Sequence, residues 1–162
     1  MKSLFILRAQ PLHKGHLHAI KKAEKKFELI IGIGSSNIKN TPENPFSFRE
    51  RKEMLRLVGV KCKIVPIPDF YNCEKWTDYV LNKIDFDLVI SGNDWVKECF
   101  KRKKKVINPD FFKPEKYKAS LIREKIAKGE KWEHLVPRKV ADYIKKIDGE
   151  ERIRKIFEKI NT

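Results

Sequence analysis

The chain is short of glutamine, short of acid and without a long apolar run. Gln10 is its one glutamine. No apolar stretch approaches the ~20 residues of a membrane span, so a transmembrane protein is excluded. Cys62, Cys73 and Cys99 are odd in number and match no zinc spacing. Reduced thiols are the expected state, with Cys62 on a strand and Cys99 on a helix as packing residues. Met1-Lys2-Ser3-Leu4-Phe5-Ile6-Leu7 runs straight into Arg8 with no small-residue cleavage site. It reads as a first strand of a cytoplasmic protein rather than a signal peptide. Internal repeats and low-complexity linkers are missing too.

What is present is positive charge. Lys and Arg number 37 against 22 Asp and Glu, a net charge of +15 over 162 residues. Such a chain attracts phosphates. A nucleic-acid face is one reading, with Lys101-Arg102-Lys103-Lys104-Lys105 as its candidate. General Lys/Glu enrichment with scarce thermolabile amides, as in heat-adapted proteins, is the favoured one, since a charge run is usually a solvated face.

The pattern alternates strand and helix over a length that suits one domain. Strands are expected at Leu4–Leu7, Leu29–Gly34, Cys62–Ile67, Leu88–Ile90 and Val106–Ile107. Helices are expected at Gly15–Lys26, Ser47–Gly59, Glu74–Lys83, Asp94–Phe100 and Ala119–Lys128. A mostly helical tail, Val136–Ile160, breaks at Asp148-Gly149. Ser47 and Glu50 make a capping box. Short buried strands joined through helices predict an α/β fold, a doubly wound parallel sheet with a helical C-terminal part from about residue 119. Ligands of such sheets bind beyond the carboxyl ends of the strands. His13, Gly34, Pro68 and Ser91 each follow a strand end, so they converge on one rim.

The most informative stretch is His13-Lys14-Gly15-His16. Histidines three residues apart at a helix start point the same way. The start also offers unpaired N–H groups and the positive end of a helix dipole, a site for phosphate. His18 points elsewhere and reads as surface. Trp132 reads as packing, and Arg51 either as a helix-surface ion-pair partner or as part of the site.

Arg8-Ala9-Gln10-Pro11-Leu12-His13-Lys14-Gly15-His16 resembles the opening of the nucleotidyltransferase superfamily, marked by H-x-G-H after the first strand. Class I aminoacyl-tRNA synthetases share that motif, but the chain is too short for one and lacks K-M-S-K-S. Further stretches are similar to the archaeal nicotinamide-nucleotide adenylyltransferases. They are Ile31-Gly32-Ile33-Gly34-Ser35, Glu43-Asn44-Pro45-Phe46 with Glu50-Arg51, Pro66-Ile67-Pro68, Ser91-Gly92-Asn93 and Glu130-Lys131-Trp132-Glu133-His134-Leu135-Val136-Pro137. They occur in the family's order and cover nearly the whole chain.

The resemblance implies a single Rossmann-like nucleotidyltransferase domain over 1–162. It joins ATP to nicotinamide mononucleotide, giving NAD and pyrophosphate, with Mg²⁺ held mainly by the ATP phosphates and no metal residue named. The attacking phosphate is already an anion, so the enzyme needs neither a general base nor a covalent nucleophile. It must align two anions and stabilise charge on the α-phosphate and the leaving group. His13, His16, Arg8 and Arg123 carry the catalytic role, with His16 nearest the α-phosphate. Gly15, Ser91, Gly92, Asn93 and Ser120 bind ATP, Gly15 by letting the backbone approach closely. Trp76 packs beside the nicotinamide ring, and Phe70, Cys73 and Ser35 are assigned to the acceptor with it. Cys73 stands where the family has a carboxamide-recognising asparagine, with Asn72 beside it. Flavin mononucleotide or phosphopantetheine is therefore the alternative acceptor, and a basic nucleic-acid-binding protein the alternative of another class. The resemblance also implies a homo-oligomer.

Overall fold

The architecture comes from a computed structural model that describes residues 1–161. The strands are β1 (Lys2–Leu7), β2 (Glu28–Ile33), β3 (Lys63–Pro66), β4 (Leu88–Ile90) and β5 (Lys105–Ile107). All pair in parallel, in the order β3-β2-β1-β4-β5. The helices are α1 (Lys14–Lys26), α2 (Phe48–Leu57), α3 (Cys73–Lys83), α4 (Asp94–Phe100), α5 (Ala119–Lys128), α6 (Arg138–Lys146) and α7 (Gly149–Ile160), with a 3-10 turn at Glu133–Leu135. The doubly wound α/β sheet is as expected, and strand order reverses between β1 and β4.

Both faces of the sheet are buried, and alternation along each strand decides which side chain serves which layer. Phe5, Leu7, Leu29, Ile31, Ile33, Leu88 and Ile90 pack with α1, α2 and the C-terminal helices. Leu4, Ile6 and Val89 face the other way, toward Trp76 and Val80 of α3 and Val96 and Phe100 of α4. Gly32 has no side chain because a Cβ there would run into Ile67. The tail docks through Arg152 of α7, which makes paired bonds to Glu50 of α2 at 2.7 and 2.8 Å. Such a planar fork gives geometry as well as energy.

Two expectations about cysteine fail. Cys62 lies just ahead of β3, in a turn that Arg56 holds by donating to the Val60 and Cys62 carbonyls. Cys73 and Cys99 form a disulfide rather than staying reduced, with Cα atoms 5.0 Å apart. They are 26 residues apart in sequence. Only the packing of α3 and α4 on one sheet face brings them together, which no spacing rule can show.

Arg51 also departs from a surface role. Its side chain is fully buried in α2. Nη1 donates to the carbonyls of Arg8 at 3.0 Å and Gly34 at 2.7 Å, Nη2 to Ser35 at 3.1 Å and Nε to Ser47 at 3.2 Å. One guanidinium thus ties the helix to the carboxyl ends of β1 and β2. Removing it takes the side-chain donor from the Arg8 and Gly34 carbonyls, each loss costly, whereas the Ser35 and Ser47 carbonyls keep the backbone amides of residues 38 and 51. Arg51→Ala is expected to lose about 3–5 kcal/mol of stability, measured by guanidinium chloride unfolding. Arg51→Lys should recover less than half, because an ammonium cannot span the same acceptors.

Candidate active site

The histidine pair begins α1 and is bonded to itself. His13 is the N-cap in extended conformation, and its Nδ1 accepts from the His16 amide at 3.3 Å. His16 Nδ1 accepts from the His13 amide at 3.1 Å. The rings stack with centroids 3.6 Å apart. A nitrogen that accepts an N–H carries no proton, so each imidazole must hold its proton on Nε2. The cap therefore sets both rings as Nε2–H donors. Burial pulls His13 down to about 4. Burial first, and the neighbouring His13 second, hold His16 well below its ordinary value. Both rings are neutral donors near neutral pH.

Three arginines meet at the turn that leads from β1 to this pair. Arg8 follows β1 with an exposed side chain, and its guanidinium has no hydrogen-bond partner among the described residues. Arg123 of α5 donates to the Gln10 carbonyl at 2.8 Å. Burial first, then the charge of Arg8, pull the guanidinium of Arg51 down to about 10 and that of Arg123 below its usual value. Arg8 thus bears on both buried guanidiniums, and its own exposed guanidinium is the one that faces the cleft, where it can meet an anion. Gln10 fixes the connecting turn. Its amide pairs with Phe46, accepting from the Phe46 amide and donating to the Phe46 carbonyl, each at 2.9 Å.

A cleft of about 940 Å³ opens at the carboxyl ends of β1, β2 and β4, where the strand order reverses. That is the position and size expected of a nucleotide site. Arg8, His16, Ser35, Trp76, Ser91, Gly92 and Asn93 line it, so these sequence-predicted residues come together. Ser35 donates to Asp69 Oδ2 at 2.9 Å. Asn93 caps α4 by accepting from the Trp95 and Val96 amides at 2.9 and 3.2 Å. Asp69 and Glu43 are the carboxylates of the lining. No group of three metal-ligating side chains occurs among the described residues.

Other assignments fall elsewhere. His13 is 4 % exposed and does not line the cleft; Tyr117 stacks beside it at 6.5 Å. Gly15 leaves room for protein rather than for a ligand. A Cβ there would meet the His13 ring at 2.9 Å and Tyr117 at 3.0 Å. Ser120 and Arg123 line an adjoining hollow with α7, and Glu43 borders both spaces. Ser120 is the second residue of α5, whose start has no side-chain cap and so keeps amides open to an anion. Phe70 packs on Tyr79 at 5.1 Å and, like Cys73, is outside the cleft lining. The Cys73 sulfur is bonded to Cys99 and cannot stand in for an asparagine.

His18 turns away to Phe112, with ring centroids 5.1 Å apart. Trp132 is a packing residue, 1 % exposed, with its indole N–H on Glu150. Of the basic run, Lys103 is held by Glu74 and Thr77, and Lys104 by the Phe86 carbonyl. Sequence reasoning missed Asp69 and Trp95, which line the cleft. Trp95 directly follows Ser91-Gly92-Asn93-Asp94, and a large apolar residue in so polar a stretch is the available signal.

The neutral histidines set a pH dependence. In the unfolded chain His13 protonates below its ordinary value of 6.5, while folded it resists until about 4. The unfolded state therefore binds more protons between those values, and stability falls as pH drops through that window. For His13 alone the fall is about 3 kcal/mol. Urea unfolding from pH 7.5 to 4.5 should show it, and His13→Asn, which keeps a capping acceptor, should flatten the slope.

Comparison with known proteins agrees with this geometry. The family model described as cytidylyltransferase-like matches residues 8–156. A nicotinamide-nucleotide adenylyltransferase of Methanococcus vannielii is 40% identical, over 98% of this chain and 96% of its own. Enzymes of the same name are 38% identical in Thermococcus kodakarensis and 40% in Pyrococcus furiosus, each over 94% of this chain and 87% of theirs. Among solved structures, a bifunctional NMN adenylyltransferase/ADP ribose pyrophosphatase from Francisella tularensis, complexed with AMP and a manganese ion, superposes with a TM-score of 0.79 at 26% identity. The match covers 99% of this chain and 52% of that one. The chain thus belongs to the cytidylyltransferase-like family and, within it, groups with the nicotinamide-nucleotide adenylyltransferases.

Proposed function

We propose that this protein transfers the adenylyl group of ATP to nicotinamide mononucleotide, releasing pyrophosphate and forming NAD. The observation that carries the reading is the cleft at the strand-order reversal, which Arg8 and His16 line together, His16 with its Nδ1 taken by the His13 amide and so its proton on Nε2. Near-full-length relatives of that name support it.

In the proposed step, a phosphate oxygen of the mononucleotide attacks the α-phosphorus of ATP. A new P–O bond forms as the bond to the β-phosphate bridging oxygen breaks, and pyrophosphate leaves with the electron pair. No proton need be removed from the nucleophile. His16, in the cleft, donates from Nε2 to the α-phosphate, where negative charge gathers on the equatorial oxygens. Arg8 reaches the phosphates from the end of β1. Arg123, Ser120 and the uncapped start of α5 take the polyphosphate side. His13 acts from behind, stacked on His16 and holding its amide. Preorganised donors in a partly dry cleft stabilise such charge without reorienting. Trp76 and Ser35 lie on the acceptor side.

A divalent cation such as Mg²⁺, when bound with ATP, would supply positive charge against the leaving pyrophosphate. Asp69 and Glu43 are the cleft carboxylates available to it, a sparse donor set that suits such a cation. We also read the chain as one nucleotidyltransferase domain that assembles into a homo-oligomer in the cytoplasm.

Incubating the protein with ATP, Mg²⁺ and nicotinamide mononucleotide is expected to yield NAD, and a chelator should stop the reaction. Flavin mononucleotide and phosphopantetheine, tested beside it, are expected to react poorly. Absence of NAD overturns the reading. His16→Ala is expected to lower turnover by roughly 10²-fold or more, as loss of an electrostatic donor does, and His18→Ala to do little. Equal losses from both would place the charge stabilisation elsewhere.

A further inference from the structure

One wall of the cleft is built from tryptophans on different helices. Trp76 sits one turn into α3 and Trp95 at the start of α4, and both line the cleft. Their ring centroids are 4.7 Å apart with planes inclined at 57°. Trp76 is backed by Phe100 at 5.4 Å and is 3 % exposed, whereas Trp95 is 42 % exposed. A large ring left in water at the mouth of a cleft is available to a ligand. The inclination makes a corner. A flat ligand stacked on one indole meets the other edge-on, a favoured aromatic geometry. Indole faces also attract cations more strongly than other aromatic side chains do. The flat cationic ring of the acceptor fits this corner better than neutral adenine does.

The corner is covalently braced. Cys73 precedes Trp76 by three residues and Cys99 follows Trp95 by four, so each sulfur lies about one helical turn from an indole on the same helix. Their disulfide joins α3 to α4 there. We infer that Trp95 is the second wall of the acceptor-ring subsite, forming with Trp76 an aromatic corner for the planar cationic ring. The Cys73–Cys99 bridge sets the separation of the two indoles. This rests on the cleft taking a nicotinamide mononucleotide.

The test begins with wild-type protein, whose formation of NAD decides the underlying reading by itself. Trp95→Ala is then expected to raise the KM for the mononucleotide about tenfold, with the KM for ATP and kcat changed by no more than about twofold. Trp95→Phe should recover most of the loss. Cys73→Ala/Cys99→Ala should raise the same KM and not that for ATP. An unchanged acceptor KM in Trp95→Ala, or a rise confined to ATP, overturns the assignment of Trp95. An unchanged acceptor KM in the cysteine variant overturns the role of the bridge. A measurement without turnover separates the two readings. In Trp76→Phe protein the mononucleotide should quench Trp95 emission saturably, against Trp76→Phe/Trp95→Phe as the blank. Missing quenching overturns the corner even if NAD forms, and quenching without NAD formation retains the corner while the catalytic reading fails.

Discussion

The buried guanidinium of Arg51 holds the rim of the cleft in place. It sits where parallel strands end, and parallel strands end badly, with carbonyls aimed past the sheet and no further strand to donate to them. Arg51 meets those of Arg8, Gly34 and Ser35 together. It thereby fixes how far β1 and β2 run before the chain turns. Ala9 and Ser35, next to these carbonyls, take positive φ values of 55° and 50°, a conformation that non-glycine residues hold only when their surroundings insist. The same charge also works at a distance. Buried among carbonyls rather than beside a carboxylate, it adds to the positive field that Arg8 and Arg123 present to an anion.

The histidine pair shows a similar economy. A helix start needs its amides satisfied, and an anion site needs donors. Reciprocal Nδ1 bonds satisfy amides at the start of α1 and at the same time turn both Nε2–H groups into donors of fixed position. Burial then keeps the rings neutral. A neutral donor can stabilise charge as it develops on a phosphate without taking part as a base, which is what a nucleophile that is already ionised requires. Tyr117 stacks beside His13 and Phe111 meets His16 edge-on, both from the segment after β5, and His13 stays buried against protein.

Much of the fold was legible in the sequence because local rules and tertiary need coincide in this chain. The strands are short apolar runs, β2, β3 and β4 closed by Gly34, Pro66 and Ser91, and Ser47 with Glu50 caps α2 as its pattern predicts. Of the candidate site, the sequence picked out residues that the fold does bring to one cleft where a helix opens on it, as at His16, or where a strand end carries a loop, as at Ser91-Gly92-Asn93. It was not legible where a residue acts across elements. Arg51 looks like any helix arginine until its acceptors on β1 and β2 are seen. Gly15 suggests an approaching phosphate, yet its space is taken by His13 and Tyr117. Cys73 reads as a substituted asparagine, and its sulfur is bonded to another helix.

The alternation of strand and helix, the histidine-bearing start of α1 and the excess of positive charge are all written in the sequence, since each depends on residues close together in the chain. Tertiary structure alone decided which arginine is buried, which cysteines join, and that Trp95 stands beside Trp76. Those facts depend on separations across a sheet face, where residues such as Cys73 and Cys99, 26 positions apart, become neighbours. Packing, unlike periodicity, leaves no mark at a fixed spacing.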